Sequence, residues 1–511
     1  MKCTFNIKHL AAMLLLSGCP VAAFAENTSY YIDSEGGNDQ NTGLSEKEAW
    51  KTVGRASELR LEAGDKLLLK RGGTYRGILE IKASGSKGNP AFVGTYGRGS
   101  KPCVSAPDSS LYAIRVSNSN YIEVDGLEVV NNGSKRMAGR TGVKVECSDY
   151  GVSRGITLRA LYIHDVNGSL VKQKGGGSAL LIENKWSKGG TVSTFDSLAI
   201  EDCLIRRCER NAMIWNAPWS RRDWHLSTNV VVRRNVIEQV PGDGIVPIGC
   251  KGALVEYNLM RDCPQTLPHT EAAAGFWPWS CDGTVIQFNE VSGHKAPWDG
   301  QAYDADYNCR NTVIRYNYSH GNDGGMVLIC NAGKGDTIAN IGNVNPLVEY
   351  NVSIGDGMRT RTTRIGMFSP SIHVAGPVKG AVVRRNIVVS RKKPTTEADR
   401  RMVVSDSWEG YADRTTFEEN IFCAEEPSSF DMSRSTNNAF HGNRYLWKTQ
   451  SMEAGAEQKL PPRLFGNGAD GAAKAVGKLK NMLKRVRVGD GNFVLTTVDK
   501  RKIERFFDEN F

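Results

Sequence analysis

Three observations predict an all-β chain built as a solenoid of stacked parallel coils. A strand motif ending in cysteine recurs, as Gly244-Ile-Val-Pro-Ile-Gly-Cys250, Gly275-Phe-Trp-Pro-Trp-Ser-Cys281, Tyr303-Asp-Ala-Asp-Tyr-Asn-Cys309 and Gly324-Gly-Met-Val-Leu-Ile-Cys330. Its intervals of roughly 20–30 residues are those of solenoid repeats. Beside it runs a ladder of short β-branched segments centred on Asn235, Asn258, Asn289, Asn317, Asn351, Asn386 and Asn420. The 54 glycines among 511 residues fit loops of variable length between such segments.

The elements follow in order. Lys2 and Lys8 precede the apolar run Leu10–Leu16, and Ala23-Phe24-Ala25 is a small-x-small cleavage site, so residues 1–25 read as a signal peptide. Leu16-Ser-Gly-Cys19 also reads as a lipobox, which would acylate Cys19; either route exports the protein to the periplasm, the cell surface or the medium. Tyr30-Tyr-Ile-Asp33 opens the first strand. Ser45-Glu-Lys-Glu48 is a capping box that starts an amphipathic helix running to about Leu61, a plug for the open solenoid end. Coils begin at Gly64-Asp-Lys-Leu and continue through Ile156-Thr-Leu, Leu180-Leu-Ile and Leu198-Ala-Ile to about Cys423. Residues 426–480 are polar and weakly periodic. Ala472–Val486 and Val498–Phe507 read as basic amphipathic helices of a C-terminal cap, with a membrane-surface helix as the alternative.

The net charge of +10 fits either a solvated basic surface or attraction to an acidic polymer. Nucleic acid is excluded as a partner by the missing motifs and the exported compartment. No later stretch has the ~18 apolar residues of a transmembrane span. All twelve cysteines except Cys3 and Cys19 lie beyond the leader as single ladder positions, which reads as buried thiols rather than a metal or disulfide framework. The expected state is a monomer.

Alternation along a strand assigns faces. With the cysteines inward, Val246, Ile248, Met326 and Leu328 face the core. In the third coil Tyr307 and Ala305 then face in, while Asp304, Asp306 and Asn308 face out. The other coils carry apolar or small residues at those outward positions. Two carboxylates with Cα atoms roughly 6.5–7 Å apart therefore share an otherwise apolar strip. The same register turns Trp277 and Trp279 inward, unless a local bulge puts them outside.

Residues 30–105, with Tyr-Tyr-x-Asp-x-x-x-Gly-x-Asp, Gly-Asp-x-Leu and Arg-Gly-Gly-Thr-Tyr, resemble the N-terminal cap and first coils of secreted right-handed parallel β-helix enzymes acting on polysaccharides. Asp299-Gly-Gln-Ala-Tyr-Asp-Ala-Asp306 through Tyr316-Asn-Tyr-Ser-His-Gly-Asn-Asp-Gly-Gly325 resembles β-helical glycoside hydrolases of polysaccharide-degrading bacteria, among them xylanases, α-fucosidases and lacto-N-biosidases. The resemblance covers roughly residues 30–425 and implies a right-handed parallel β-helix over residues 26–425, with residues 426–511 as a C-terminal cap. The pectinase set of Asn-x-Asp, Asp-Asp and Gly-His-Gly is not found, nor is the Asn-x-x-x-His-Lys and Arg pattern of alginate and chondroitin lyases.

Glycoside hydrolysis needs a carboxylic acid to protonate the leaving oxygen and a second carboxylate as base or nucleophile. Asp304 and Asp306 are the nominated pair, with Asp299 and Asp323 from the turns entering successive coils; Asp243 is their counterpart two coils earlier. Ordinary Asp-Gly turn chemistry competes for the turn aspartates. His320 would orient Asp323 or hold a sugar hydroxyl, and Trp277, Trp279 and Trp298 would stack on sugar rings. His269, Glu271, Lys295 and Arg310 complete the binding set, with Lys172 and Lys174 weaker candidates. No cofactor or metal is expected for a hydrolase acting on a plant, algal or host polysaccharide or oligosaccharide. A lyase acting on a uronate-containing acidic glycan would use Ca²⁺ held by the aspartates, with Lys295 and Arg310 as base and neutraliser. A non-catalytic glycan-binding solenoid is the third reading.

Overall fold

The computed structural model describes residues 27–363, 366–393, 396–446 and 479–511; the signal peptide and lipobox lie outside them. Successive coils build three parallel sheets around one core. The first is 15-stranded and runs from Ser29–Ile32 to Ala439–His441; the second is 13-stranded, from Thr74–Arg76 to Arg444–Leu446. The third face has a six-stranded part ending at Ile245–Val246 and a five-stranded part starting at Tyr303–Ala305. Phe276 joins the two parts by bridging Ile245 on one side and Tyr303 on the other. This is a parallel β-helix, and its coils run on past Cys423 to Leu446.

The Asn ladder is the spine of the fold. Each ladder Asn donates from Nδ2 to the Oδ1 of the next, as in Asn289 to Asn317 at 3.0 Å and Asn317 to Asn351 at 3.0 Å, and the series extends one coil beyond Asn420 to Asn443. The same Oδ1 accepts the backbone N–H of the preceding Asn, and Nδ2 also donates to a core-facing carbonyl. Corner residues in the left-handed conformation, such as Tyr316 (φ 53°) and Tyr350 (φ 54°), immediately precede ladder residues. The backbone groups freed at each corner are thus satisfied inside the protein, where an unmet one would cost ~1–3 kcal/mol. All ten cysteines among the described residues are free thiols, and all but Cys103 are buried.

The cysteine ladder corrects the register read from sequence. Cys250 N–H donates to Cys281 Sγ and Cys281 N–H to Cys309 Sγ, both at 3.3 Å, so these three stack inward. Left-handed corner residues, Gly249 (φ 65°) and Ser280 (φ 51°), stand between strand and cysteine and break the alternation. Ile245 and Phe276 therefore take the inward positions, not Val246, and Trp277 faces outward. Cys330 leaves the ladder: Tyr303 pairs with Val327 and Ala305 with Ile329, so Val327 and Ile329 are inward while Leu328 and Cys330 face out. In the coil of Cys309, Asp304 does face outward.

The ends also differ from expectation. The N-terminal helix shortens to a 3₁₀ turn, Glu46–Glu48, capped by Ser45, and one α-helical turn, Val53–Ala56, because Trp50 pairs in bridge geometry with Ile32 between them. Part of the Ala472–Val486 segment lies outside the described residues. From Leu483 it is a strand, Leu483–Val488, paired antiparallel with Phe493–Val498, and the helix Lys500–Asn510 follows. These lie along the flank of the solenoid, not over its end. They cover the stacked rings of Tyr257, Phe288, Tyr316 and Tyr350, with Thr497 Oγ1 donating to Tyr316 O at 3.0 Å. No helix among the described residues is long and apolar enough to cross a membrane.

Candidate functional site

The third face carries a cleft of about 900 Å³ beside its five-stranded part. Its walls are Trp298, Phe368, Pro370 and Trp408, with His269, Asp299, Gln301, Arg359, His373 and Asp406 supplying polar groups. A smaller recess of about 220 Å³ adjoins it, lined by Lys172, Asp243, Glu271, Trp277, Asp299 and Asp304. Asp299 belongs to both.

Asp299 ends the short strand Trp298–Asp299, which pairs with Ala272–Ala273 of the preceding coil. Its backbone is left-handed (φ 58°) and Gly300 follows, also at positive φ. Arg359 fixes this turn: its guanidinium donates to the carbonyls of Ala296, Pro297 and Asp299 at 2.7–2.8 Å. Burial and the neighbouring Asp306 push the Asp299 carboxyl up to about 6.

Asp304 is only 3% exposed, and its Oδ1 meets no hydrogen-bond partner among the described residues. Burial, then Asp306, Asp299 and Asp243, hold it well above the usual carboxylate range. Asp306 is partly exposed and also raised by burial, but it accepts the thiol of Cys330 at 2.9 Å and the backbone N–H of Tyr307, which favour its charged form.

Asp243 behaves differently. Burial acts to raise it, yet the Arg210 guanidinium and Lys172 outweigh that and leave it below the ordinary value. Arg210 is fully buried, donates to Asp243 Oδ2 at 2.5 Å, and also holds Glu271 Oε2 at 3.3 Å and the carbonyl of Ala272. Asp243 Oδ1 accepts the indole N–H of Trp277 at 3.2 Å, and the ammonium of Lys172 stands 5.0 Å from that ring. Asp243 and Arg210 are thus a neutralised pair beneath the recess.

The remaining sequence candidates divide. Trp298 and His269 line the cleft; Trp277, Glu271 and Lys172 line the recess. Asp323 is fully buried but turned away, held by Lys295 at 3.0 Å and Gln265 at 3.2 Å. His320 stands on the second sheet, paired with Glu290 at 3.1 Å, in a separate cavity with Tyr318 and Arg391. Arg310 is exposed and joins Asp282 and Val344 through its backbone along the first sheet. Trp279 packs against Trp219 and Tyr307. Sequence reasoning missed the far wall. His373 pairs in register with Leu328, the partner of Asp304, and its Nε2 lies 3.0 Å from Asp406 Oδ1. Its ring meets Phe368 and Trp408 edge-on at 5.3 and 5.9 Å. Following the outward column two coils beyond Asp304 would have reached it.

Fold and site together define a parallel β-helix protein with a carboxylate cluster in an aromatic-walled cleft on its flank, and its neighbours in fold are parallel β-helix carbohydrate-active enzymes. No family model matches the chain. It is similar to a lacto-N-biosidase of Bifidobacterium longum subsp. longum, with 26% identity over 444 residues that cover 66% of this chain and 27% of that protein. The chain therefore spans about a quarter of the length of that curated relative. Crystal structures of the GH136 lacto-N-biosidase from Eubacterium ramulus, native and selenomethionine, share the fold at TM-scores of 0.62 and 0.61, with 23% and 24% identity. Each covers 78% of this chain and 68% of its own.

Proposed function

We propose that the protein is a glycoside hydrolase acting on an oligosaccharide, with activity of the lacto-N-biosidase kind. The observation that carries this is Asp299: a cleft-lining acid that titrates at about 6 beside Asp306. Both groups are partly exposed, whereas Asp304 is buried. Asp299 therefore donates the proton to the glycosidic oxygen, and Asp306, its charge supported by Cys330 and the Tyr307 N–H, supplies the second carboxylate. Asp304 lies between them in sequence. Asp304 is only 3% exposed and borders the smaller recess alone, so the proposed pair is Asp299 with Asp306 in place of Asp304 with Asp306. The aromatic walls stack on sugar rings, and His373 with Asp406 holds hydroxyls.

The likeness to lacto-N-biosidases supports the reaction class and a host-type glycan. Against the lyase scheme, Lys295 is engaged by Asp323 and Arg310 lies outside the cleft lining. The proposal includes export, a monomer and no cofactor. The test is incubation with a panel of neutral and acidic glycans and with an aryl glycoside of lacto-N-biose, read for reducing ends, released aryl group and unsaturated-uronate absorbance. Hydrolysis that falls about a hundredfold or more in Asp299→Asn and in Asp306→Asn is expected. Chelator-sensitive absorbance without hydrolysis would replace this reading with a lyase.

A further inference from the structure

A second aromatic surface stands where the carboxylate strand leaves the third face. Trp219 is 44% exposed, one of the few large apolar side chains so placed among the described residues. Its ring stacks on Trp279 at 6.2 Å and 26°, and Tyr307 meets both rings edge-on, at 6.1 and 5.6 Å. Tyr307 follows Asp306 directly in the chain, so this platform adjoins the carboxylate cluster.

The loop that presents Trp219 is firmly held. The carbonyl of Trp219 accepts Asn308 Nδ2 at 3.1 Å and the hydroxyl of Ser280, both buried residues of the corner. Two residues on, Arg221 donates to Asn308 Oδ1 at 2.9 Å and to Asp282 Oδ1 at 2.8 Å, and its backbone N–H donates to Ala339 O at 3.1 Å. An indole stacked on Trp279 and carried on a backbone held by these hydrogen bonds, yet 44% exposed, is preorganised for an apolar partner. A mobile loop would fold such a ring away.

We propose that Trp219, Trp279 and Tyr307 form a sugar-binding subsite that takes the part of the glycan extending beyond Asp306. The occupant is a pyranose ring presenting its C–H face. Asp306 and Tyr307 are consecutive, so a glycan lying over the carboxylates reaches the platform within a short stretch. This deepens the hydrolase reading and rests on it for the direction of the chain.

The test compares wild type, Trp219→Ala and Trp219→Phe on an aryl glycoside of lacto-N-biose and on a series of longer oligosaccharides. Trp219→Ala is expected to raise KM roughly fivefold to tenfold on the longer substrates with kcat unchanged, and to leave the short aryl glycoside unaffected. Trp219→Phe should fall between. Equal parameters at every length overturn the proposal. So does a change in sedimentation on Trp219→Ala, which would make the platform an interface between copies of the chain. Should no glycan be hydrolysed, fluorescence titration of the Asp299→Asn protein with the same oligosaccharides decides the matter separately. Indole quenching that disappears in the Trp219→Ala double variant supports the subsite, and no quenching overturns it.

Discussion

Asp299→Asn is expected to make the protein more stable above neutral pH while abolishing its activity. The folded protein holds the Asp299 proton up to about 6, against 3.8 for the ordinary carboxyl, chiefly because the site is buried and then because Asp306 is close. The folded state thus binds this proton more tightly than the unfolded chain does. Its stabilising contribution is complete below about pH 4 and is lost as pH rises through about 6. A difference of roughly two pH units corresponds to about 3 kcal/mol, and partial exposure to the cleft reduces it to about 1–3 kcal/mol. Asparagine keeps the shape and carries no charge at any pH. Urea unfolding of wild type and variant at pH 4 and pH 8 measures the effect. The two should coincide within about 0.5 kcal/mol at pH 4, and the variant should be about 1–3 kcal/mol more stable at pH 8. Equal or lower stability of the variant at pH 8 would refute the view that Asp299 is held against its own ionisation.

Two further outcomes follow from the same geometry. Cys330→Ala removes the thiol donor to Asp306; losing a bond to the charged form raises its pKa, so the acid limb of the kcat/KM profile should move to higher pH by up to about one unit, and Cys330→Ser should restore it. A pH profile that does not move would show the thiol to be packing alone. Asn317→Ala cuts the ladder, where Nδ2 donates to Ile286 O and Asn351 Oδ1 while Oδ1 accepts two bonds from Asn289; urea unfolding should show a loss of about 2–4 kcal/mol, with kcat/KM unchanged at 25 °C in the folded protein.

The Asn ladder made the fold legible because it is a repeated demand of the backbone. Each left-handed corner frees an N–H that the side chain of the next coil must meet, so one residue type recurs in step with the coils. The cysteine ladder was a weaker guide. A thiol can stack inward, as Cys281 does, or face a carboxylate from outside, as Cys330 does, and composition does not distinguish the two. Alternation failed where Gly249 and Ser280 turn the chain, since a left-handed residue resets which side follows. Asp304 and Asp306 could be read because charge on an apolar strand is conspicuous. Asp323 and His320 lie outside the cleft lining, because entering a coil nearby in sequence does not fix the face. His373, Asp406 and Trp408 were missed because variable loops separate their coils from the aspartates in sequence but not in space.

The site also shows how a solenoid makes chemically different groups from identical residues. Four aspartates come together near the junction of the third face, and the fold treats each by its own surroundings. Asp243 is charged but cancelled by the buried guanidinium of Arg210. Burial holds the Asp304 carboxyl well above the usual range. Asp299 and Asp306 are the two more exposed members of the cluster, and their contacts set them apart. Asp306 receives two donors that favour its anion, whereas the Asp299 carboxyl feels burial and that anion together. Asp299 is thus pushed up to about 6, while the donors to Asp306 act against the rise that burial gives it. Removing the Arg210 charge would disturb this balance without touching either carboxylate of the proposed pair, because an uncancelled Asp243 would add its own charge to the cluster.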